Sequence, residues 1–161
     1  MLFTMRKILI LVLGLLLTFC ALGKNISGKV IKVADGDTIT ILDKGKKVRV
    51  RFYGIDAPEK KQEYGLKSFN ILKKLVNKKE VTVHIKDKDQ YGRVVGIVYL
   101  SDKNINLYML KSGNAWWYKR YAKNEYKFRL AVKEAQKKDL GLWKEKNPTP
   151  PWIFRKNNRK G

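Results

Sequence analysis

Two pairs of acidic residues stand out in a strongly basic chain, which has 14 Asp and Glu against 36 Lys and Arg. Asp35 and Asp37 flank a glycine, and Asp56 and Glu59 lie on either side of Pro58. Hard divalent cations are bound by carboxylate and carbonyl oxygens, and calcium tolerates the irregular geometry of loops. We therefore expect Asp37 and Asp56 to form a cation site, with Glu59 held by the rigid proline where it could align a water molecule.

Both acidic motifs also have a purely structural interpretation. The run Asp-Gly-Asp-Thr at 35–38 has the composition of an ordinary turn. Asp56 could likewise cap the start of the helix predicted after it. Spacing alone does not choose between a cation site and these structural roles.

Arg51 and Arg93 would complete a set of residues for phosphoryl transfer. An arginine fork can hold two phosphate oxygens and neutralise the negative charge that grows as water attacks phosphorus. Any single arginine among 36 basic residues is more often a solvated surface charge. Their position relative to the acidic motifs distinguishes these two from the rest.

Five predicted strands must position these residues. Apolar and polar residues alternate over 26–34, 38–42 and 48–52, with turn residues between them, which predicts three strands in a meander. The segments 81–85 and 94–100 predict two more strands. The acidic motifs fall at strand ends, where loops can converge.

The remaining elements are predicted to be helices. Apolar residues recur at three- and four-residue spacing across 64–77. Asn106 is a candidate cap for a short helix that ends near Gly113, and Asn124 for a longer one that runs to about Asp139. The order of elements predicts an α+β protein, a five-stranded Greek-key β-barrel (OB-fold) with about three α-helices.

Residues 1–23 are predicted to be a signal peptide. Arg6 and Lys7 precede an apolar run of about fifteen residues, shorter than the roughly twenty that span a bilayer. Small residues near Gly23 suit cleavage by a signal peptidase. An uncleaved membrane anchor and a lipid anchor at Cys20 are the alternatives.

Cleavage after the leader would leave one domain, residues 24–154, followed by a basic tail, residues 155–161. Such a protein would be secreted or periplasmic. The net charge is +22, and +20 once Arg6 and Lys7 are removed with the leader. Such a charge would attract polyanions such as nucleic acids, although a lysine-rich composition is also compatible with a merely solvated surface.

Three motifs, DGDT, RFYGIDAPE and YGR, occur in this order and resemble the signatures of the staphylococcal nuclease (thermonuclease) family. The similarity extends from about Ile26 to Trp152. The resemblance implies a calcium-dependent enzyme that hydrolyses phosphodiester bonds of DNA and RNA with little sequence specificity and leaves 3′-phosphate ends. We further expect a monomer that has no stable protein partner and meets a membrane only through its leader.

The resemblance also implies the calcium ligands. Asp37 and Asp56 would bind Ca²⁺, with the backbone carbonyl of Ala57 as a further ligand. The family often has threonine at this last position. Because the ligand is a main-chain oxygen, alanine should keep calcium binding while any bond from the threonine hydroxyl is lost. Calcium would polarise the phosphate and help to position the attacking water.

By the same resemblance, Glu59 is the general base or water-orienting group, and Arg51 and Arg93 bracket the scissile phosphate. Arg93 would also favour departure of the 5′-oxygen. Three tyrosines are candidates for stacking on bases or bonding phosphate, because aromatic faces accept any base. They are Tyr91, Tyr118 and Tyr121. Core packing is an equal alternative for Tyr118.

Two other functions fit parts of the sequence. A barrel of this type can be a non-catalytic nucleic-acid-binding module, and the basic surface would serve it well. The acidic motifs argue against this alternative, because carboxylates facing phosphate weaken binding. A cationic membrane-surface protein would use the basic segment 124–138, but the fold needs the apolar side of that segment.

Overall fold

The computed structural model describes residues 25–159. The predicted signal peptide, its cleavage site and Cys20 lie outside the described residues. The expectations about export and anchoring therefore stay predictions. Among residues 25–159, every helix is too short or too polar to span a bilayer.

Five main strands form a closed barrel in the described part of the chain. They are β1 (Asn25–Val33), β2 (Thr38–Asp43), β3 (Lys46–Phe52), β5 (Glu80–Lys88) and β6 (Val94–Leu100). Three two-residue strands accompany them: β4 (Ile55–Asp56), β7 (Lys103–Asn104) and β8 (Trp116–Trp117). The main sheet has the order β3-β2-β1-β5-β6-β7, and parallel pairing of β3 with β6 closes it.

The alternation seen in the sequence fills the barrel's interior. In β2, Ile39 and Ile41 point inward and are fully buried. Val50 from β3 and Val83 from β5 are also fully buried in the same core. Because consecutive strand residues point to opposite faces, the polar residues between these positions face solvent or gather at the barrel's rim.

Five α-helices surround the barrel within residues 25–159. They are α1 (Gly65–Val76), α2 (Ile105–Lys111), α3 (Lys119–Ala122), α4 (Tyr126–Lys137) and α5 (Pro151–Asn158), with a 3₁₀ helix at Gly141–Lys144. The predicted α+β class and OB-type barrel are confirmed. The two additional helices, α3 and α5, are short, and neither carries a long periodic pattern.

Both predicted helix caps are wrong. The side chain of Asn104, not Asn106, caps α2 by accepting a hydrogen bond of 2.9 Å from the backbone N–H of Leu107. Asn106 lies inside α2, where its fully buried amide bonds to the barrel backbone. At α4 the cap position is Glu125, and its side chain makes no cap bond. Asn124 lies one residue too early.

The last described helix, α5, extends into the segment that we predicted to be a basic tail. α5 begins at Pro151, a first-turn position that suits proline because its missing N–H has no helical partner there. The helix continues to Asn158, so the predicted boundary between residues 154 and 155 falls inside it. This placement brings Arg155 back to the barrel, where it pairs with Asp56 and Glu59.

Candidate active site

Asp37 lies at the turn between β1 and β2, and its carboxylate is almost completely buried. Asp35 Oδ1 accepts a 3.0 Å bond from the Asp37 N–H, which fixes the turn. Asp37 Oδ1 accepts a 3.0 Å bond from the Thr38 hydroxyl, and Oδ2 accepts a 2.5 Å bond from the Ala57 N–H. Asp37 therefore joins the first turn to the loop that carries Asp56.

Arg51 connects the two acidic motifs. It lies on β3 opposite Thr38 of β2, so its guanidinium reaches the turn that holds Asp37. One terminal nitrogen forms an ion pair with Asp37, and the other bonds to Asp56 Oδ1 at 2.8 Å. Burial alone would lower the pKa of Arg51, but the charges of Asp37, Asp56 and Asp35 raise it above its ordinary value.

Crowding of carboxylates is the main electrostatic feature of this site. Asp56 is 1% exposed and Asp37 is 4% exposed. Burial raises the pKa of Asp56, the neighbouring charge of Asp37 adds to the rise, and bonds from Arg155 oppose it. Burial, followed by the charge of Asp37, raises the pKa of Asp35 to about 7. A bound cation would relieve this repulsion.

The donor set fits a hard cation. Asp37, Asp56 and the carbonyl of Ala57 supply oxygens only, which suits calcium better than softer metals. Within residues 25–159, no three acidic, histidine or cysteine side chains converge on a single point. A calcium ion here would therefore take two carboxylates, with the carbonyl and water completing its shell, and it would share those carboxylates with arginines.

Glu59 stands beside this cluster on a rigid loop. Its N–H donates to Gln62 Oε1 at 3.2 Å, and its carbonyl accepts from the Gln62 N–H at 2.8 Å. The same carbonyl packs against Gly65, where a Cβ would meet the Glu59 carbonyl carbon at 2.6 Å. The side chain is 40% exposed and can therefore reach water and substrate.

Arg155 is the site residue that the sequence did not reveal. From α5 it bonds Asp56 Oδ2 at 2.7 Å and Glu59 Oε1 at 2.8 Å. Burial alone would lower the pKa of Arg155, but the bonds to these two carboxylates raise it above its ordinary range. In sequence it is one basic residue of a basic terminus. Only the folded chain brings it across 96 residues to Glu59.

Arg93 lies next to this cluster but is paired elsewhere. It immediately precedes β6, and Arg51 is opposite Val95, so the alternation of strand residues puts Arg93 on the face of Arg51. Its Nε donates to Asp89 Oδ2 at 2.6 Å. Burial would raise the pKa of Asp89, but the bonds from Arg93 lower it. The structure shows no bond from Arg93 to the carboxylates of the cluster.

The three predicted tyrosines have different surroundings. Tyr91 is 74% exposed, with the Arg93 guanidinium 5.6 Å from its ring centre. Tyr121 is 61% exposed and packs edge-on against Tyr118 at 5.0 Å. Tyr118 is half-buried and stacks on Trp152 at 5.5 Å. Tyr91 and Tyr121 are thus open to bases, and Tyr118 also holds α5 in place.

The closed barrel and its rim cluster define an OB-fold protein with a candidate phosphoryl-transfer site. A family model described as staphylococcal nuclease homologue matches residues 49–145. An uncharacterized endonuclease of Escherichia coli is 43% identical over 94% of this chain and 98% of its own length. An uncharacterized endonuclease of Haemophilus influenzae is also 43% identical, over 96% and 88%. A micrococcal nuclease of Shigella flexneri is 37% identical over 82% of each chain.

The chain belongs to the staphylococcal nuclease family. This membership confirms the predicted resemblance and, with it, the predicted enzyme class, a hydrolase of the nuclease type. Members of the family generally depend on calcium. The roles of individual residues and the metal dependence of this chain stay predictions.

Proposed function

We propose that this protein is a calcium-dependent nuclease that hydrolyses phosphodiester bonds of DNA and RNA with little sequence specificity and leaves 3′-phosphate ends. The observation that carries the proposal is the buried Asp37–Arg51–Asp56 cluster next to Glu59. Burying two carboxylates together is unfavourable. Such a cluster is therefore better explained by a cation and a phosphate than by stability.

Each residue has a definite task in this proposal. Glu59, exposed beside the cluster, accepts a proton from the attacking water or orients that water. Arg51 holds a phosphate oxygen from the barrel side. Arg93 exchanges its bond with Asp89 for one to the phosphate, where it stabilises the charge that develops on the leaving 5′-oxygen. Calcium, when bound by Asp37 and Asp56, supplies charge neutralisation at the phosphate.

The substrate is held mainly through its backbone and its base faces. The strongly basic chain, which keeps a net charge of +20 after loss of Arg6 and Lys7, attracts phosphates without regard to sequence. Exposed Tyr91 and Tyr121 offer stacking surfaces that any base can use. Neither type of contact reads base edges, which is the reason for proposing weak sequence specificity.

The biological setting is part of the same proposal. Residues 1–23 would direct export, so that the nuclease domain, which begins at residue 24 and includes α5, acts as a monomer outside the cytoplasm. Extracellular calcium would then be available to a site of modest affinity. Detection of the mature amino terminus in the culture medium or periplasm, by mass spectrometry of the native protein, tests this part.

The decisive experiment incubates the protein with end-labelled single-stranded DNA and RNA, in calcium or in excess chelator. Glu59→Ala should lower the rate by roughly 10²–10⁴-fold, and Arg93→Ala by roughly 10²–10³-fold. Glu63→Ala and Arg129→Ala are matched controls, because both residues are exposed. They should cleave like the wild type. Terminal transferase, which extends only a free 3′-hydroxyl, tests the DNA products for blocked 3′-phosphate ends.

Tight binding without cleavage in any metal would refute the proposal and leave a nucleic-acid-binding module. Cleavage that persists in chelator would refute the calcium requirement alone. Products that terminal transferase extends directly, and that therefore end in a 3′-hydroxyl, would refute only the assignment of 3′-phosphate ends.

A further inference from the structure

Arg155 reaches the site from the last helix and touches both proposed functional carboxylates of one loop. Its Nη2 donates to Asp56 Oδ2 at 2.7 Å, and its Nη1 donates to Glu59 Oε1 at 2.8 Å. Nη1 also lies 3.3 Å from the other oxygen of Asp56. A planar guanidinium that bridges two carboxylates fixes their distance and their relative orientation.

The carboxylate of Glu59 depends on this bridge. Bonds to Gln62 fix the backbone of Glu59. By contrast, Arg155 is the only side chain among the described residues that bonds the Glu59 carboxylate. Without that bond, a half-exposed glutamate would sample several staggered rotamers, and its terminal torsion would vary broadly. Arg155 is thus the contact that holds the Glu59 carboxylate in one place.

Arg155 is itself held by the way α5 docks on the domain. Trp152, one turn earlier, stacks on Tyr118 with rings 5.5 Å apart and 11° from parallel, and it meets Trp116 edge-on at 5.7 Å. The amide of Gln62 donates to the carbonyl of Thr149, just before the helix. Gln62 therefore ties the Glu59 loop to the segment that leads into α5.

We propose that Arg155 is a positioning residue of the nuclease: it acts through Glu59, holding the carboxylate where the attacking water must be aligned. The inference rests on the proposed function, because it assigns Arg155 a role in the same reaction. Arg155 makes no direct contact with substrate in this role. It is also not interchangeable with lysine, which offers a single point charge and cannot bridge two carboxylates with fixed geometry.

The test compares Arg155→Ala, Arg155→Lys and Lys156→Ala with the wild type, using a short single-stranded DNA in saturating calcium. A small misplacement of a catalytic group can cost roughly a hundredfold. Accordingly, kcat of Arg155→Ala should fall by roughly ten- to a hundredfold, with KM changed by less than about threefold. Arg155→Lys should recover part of the loss. Lys156 is exposed on the same helix, so Lys156→Ala should match the wild type.

A double-mutant cycle shows whether Arg155 acts through Glu59. If it does, adding Arg155→Ala to Glu59→Gln should cost little more than Glu59→Gln alone. Independent, multiplying losses would overturn the proposal. A rise in kcat for Arg155→Ala would also overturn it and identify Arg155 as an inhibitory contact.

Two measurements are independent of turnover. Carbon-13 relaxation of the Glu59 side-chain methylenes should show an ordered group in the wild type and a mobile one in Arg155→Ala. Equal order in both proteins would overturn the proposal.

Calcium affinity, measured by calorimetry, should not fall in Arg155→Ala. A fall large enough to explain the lost activity would overturn the proposal and place the effect at Asp56 instead. A wild-type protein that fails to cleave refutes the proposed function, whereas the relaxation result still decides the role of Arg155.

Discussion

Replacing Arg51 by alanine should destabilise the protein strongly without calcium and only mildly with it. The change removes the guanidinium between two carboxylates that are 4% and 1% exposed, Asp37 and Asp56. Removing one partner of a buried pair typically costs about 3–5 kcal/mol. Asp37 keeps its bonds from Thr38 and Ala57, so we expect a loss near the lower end, about 3 kcal/mol.

Calcium should restore part of this loss, because the variant leaves more uncompensated negative charge at the cation site. If the affinity for calcium rises tenfold, saturating calcium adds about 1.4 kcal/mol to the free energy of unfolding relative to its effect on the wild type. The deficit of Arg51→Ala should then shrink to about 1–2 kcal/mol. Calcium and Arg51 thus compensate the same two charges.

Urea denaturation in excess chelator and in millimolar calcium measures both quantities. Arg49→Ala is the matched control, since Arg49 is an exposed residue on the same strand and should change stability by less than about 0.5 kcal/mol in either condition. Equal deficits of Arg51→Ala with and without calcium would show that the metal does not bind at these carboxylates. No deficit in chelator would refute the ion-pair reasoning itself.

Three further predictions concern the scaffold and the binding surface. Asn106→Ala should lower the free energy of unfolding by about 3–5 kcal/mol in urea denaturation, because the Val98 N–H and the Tyr53 carbonyl lose their bonds to the buried amide, whereas exposed Asn124→Ala should change it little. Gly36→Ala should cost about 1–3 kcal/mol, since a Cβ there would lie 2.7 Å from the Ala57 Cβ; unchanged stability and activity would contradict this packing. Tyr121→Ala should weaken binding of single-stranded DNA in chelator by about 1–3 kcal/mol, measured by fluorescence anisotropy, and an unchanged affinity would exclude stacking there.

The barrel could be predicted because its strands carry local signals. The alternation in 38–42 and 48–52 puts Ile39 and Val50 inside, and the observed strands contain both segments. The helix caps could not be predicted as reliably, because Asn104 and Asn106 are the same residue type two positions apart. The Asn106 amide bonds the backbone of Val98 and Tyr53 in the interior, and these contacts form only when the barrel closes.

The part of the site that lies within sequence motifs could be predicted, because a motif fixes both the residue types and their positions relative to the strands. The structure joins Asp37, Arg51 and Asp56 as the sequence suggested, because β2 and β3 are adjacent strands and the loop follows directly. Arg155 was missed because nothing local marks it. One signal did exist in the Pro-Pro pair that starts α5, since proline is favoured in a first helical turn, but the docking partner of that helix is set by tertiary contacts.

The position of Arg155 also bears on how a basic protein can keep an acidic pocket. A strongly basic chain gathers polyanions over its surface, but bare carboxylates in the pocket would repel the phosphate that must be cleaved. Ion pairs join the three carboxylates of Asp37, Asp56 and Glu59 to the two guanidiniums of Arg51 and Arg155. These arginines lower the repulsion toward phosphate, yet one negative charge remains unbalanced. A divalent cation can bind the unbalanced carboxylate charge and the phosphate at the same time. Cation and phosphate binding at one site therefore accounts for both the buried acids and the arginines placed between them.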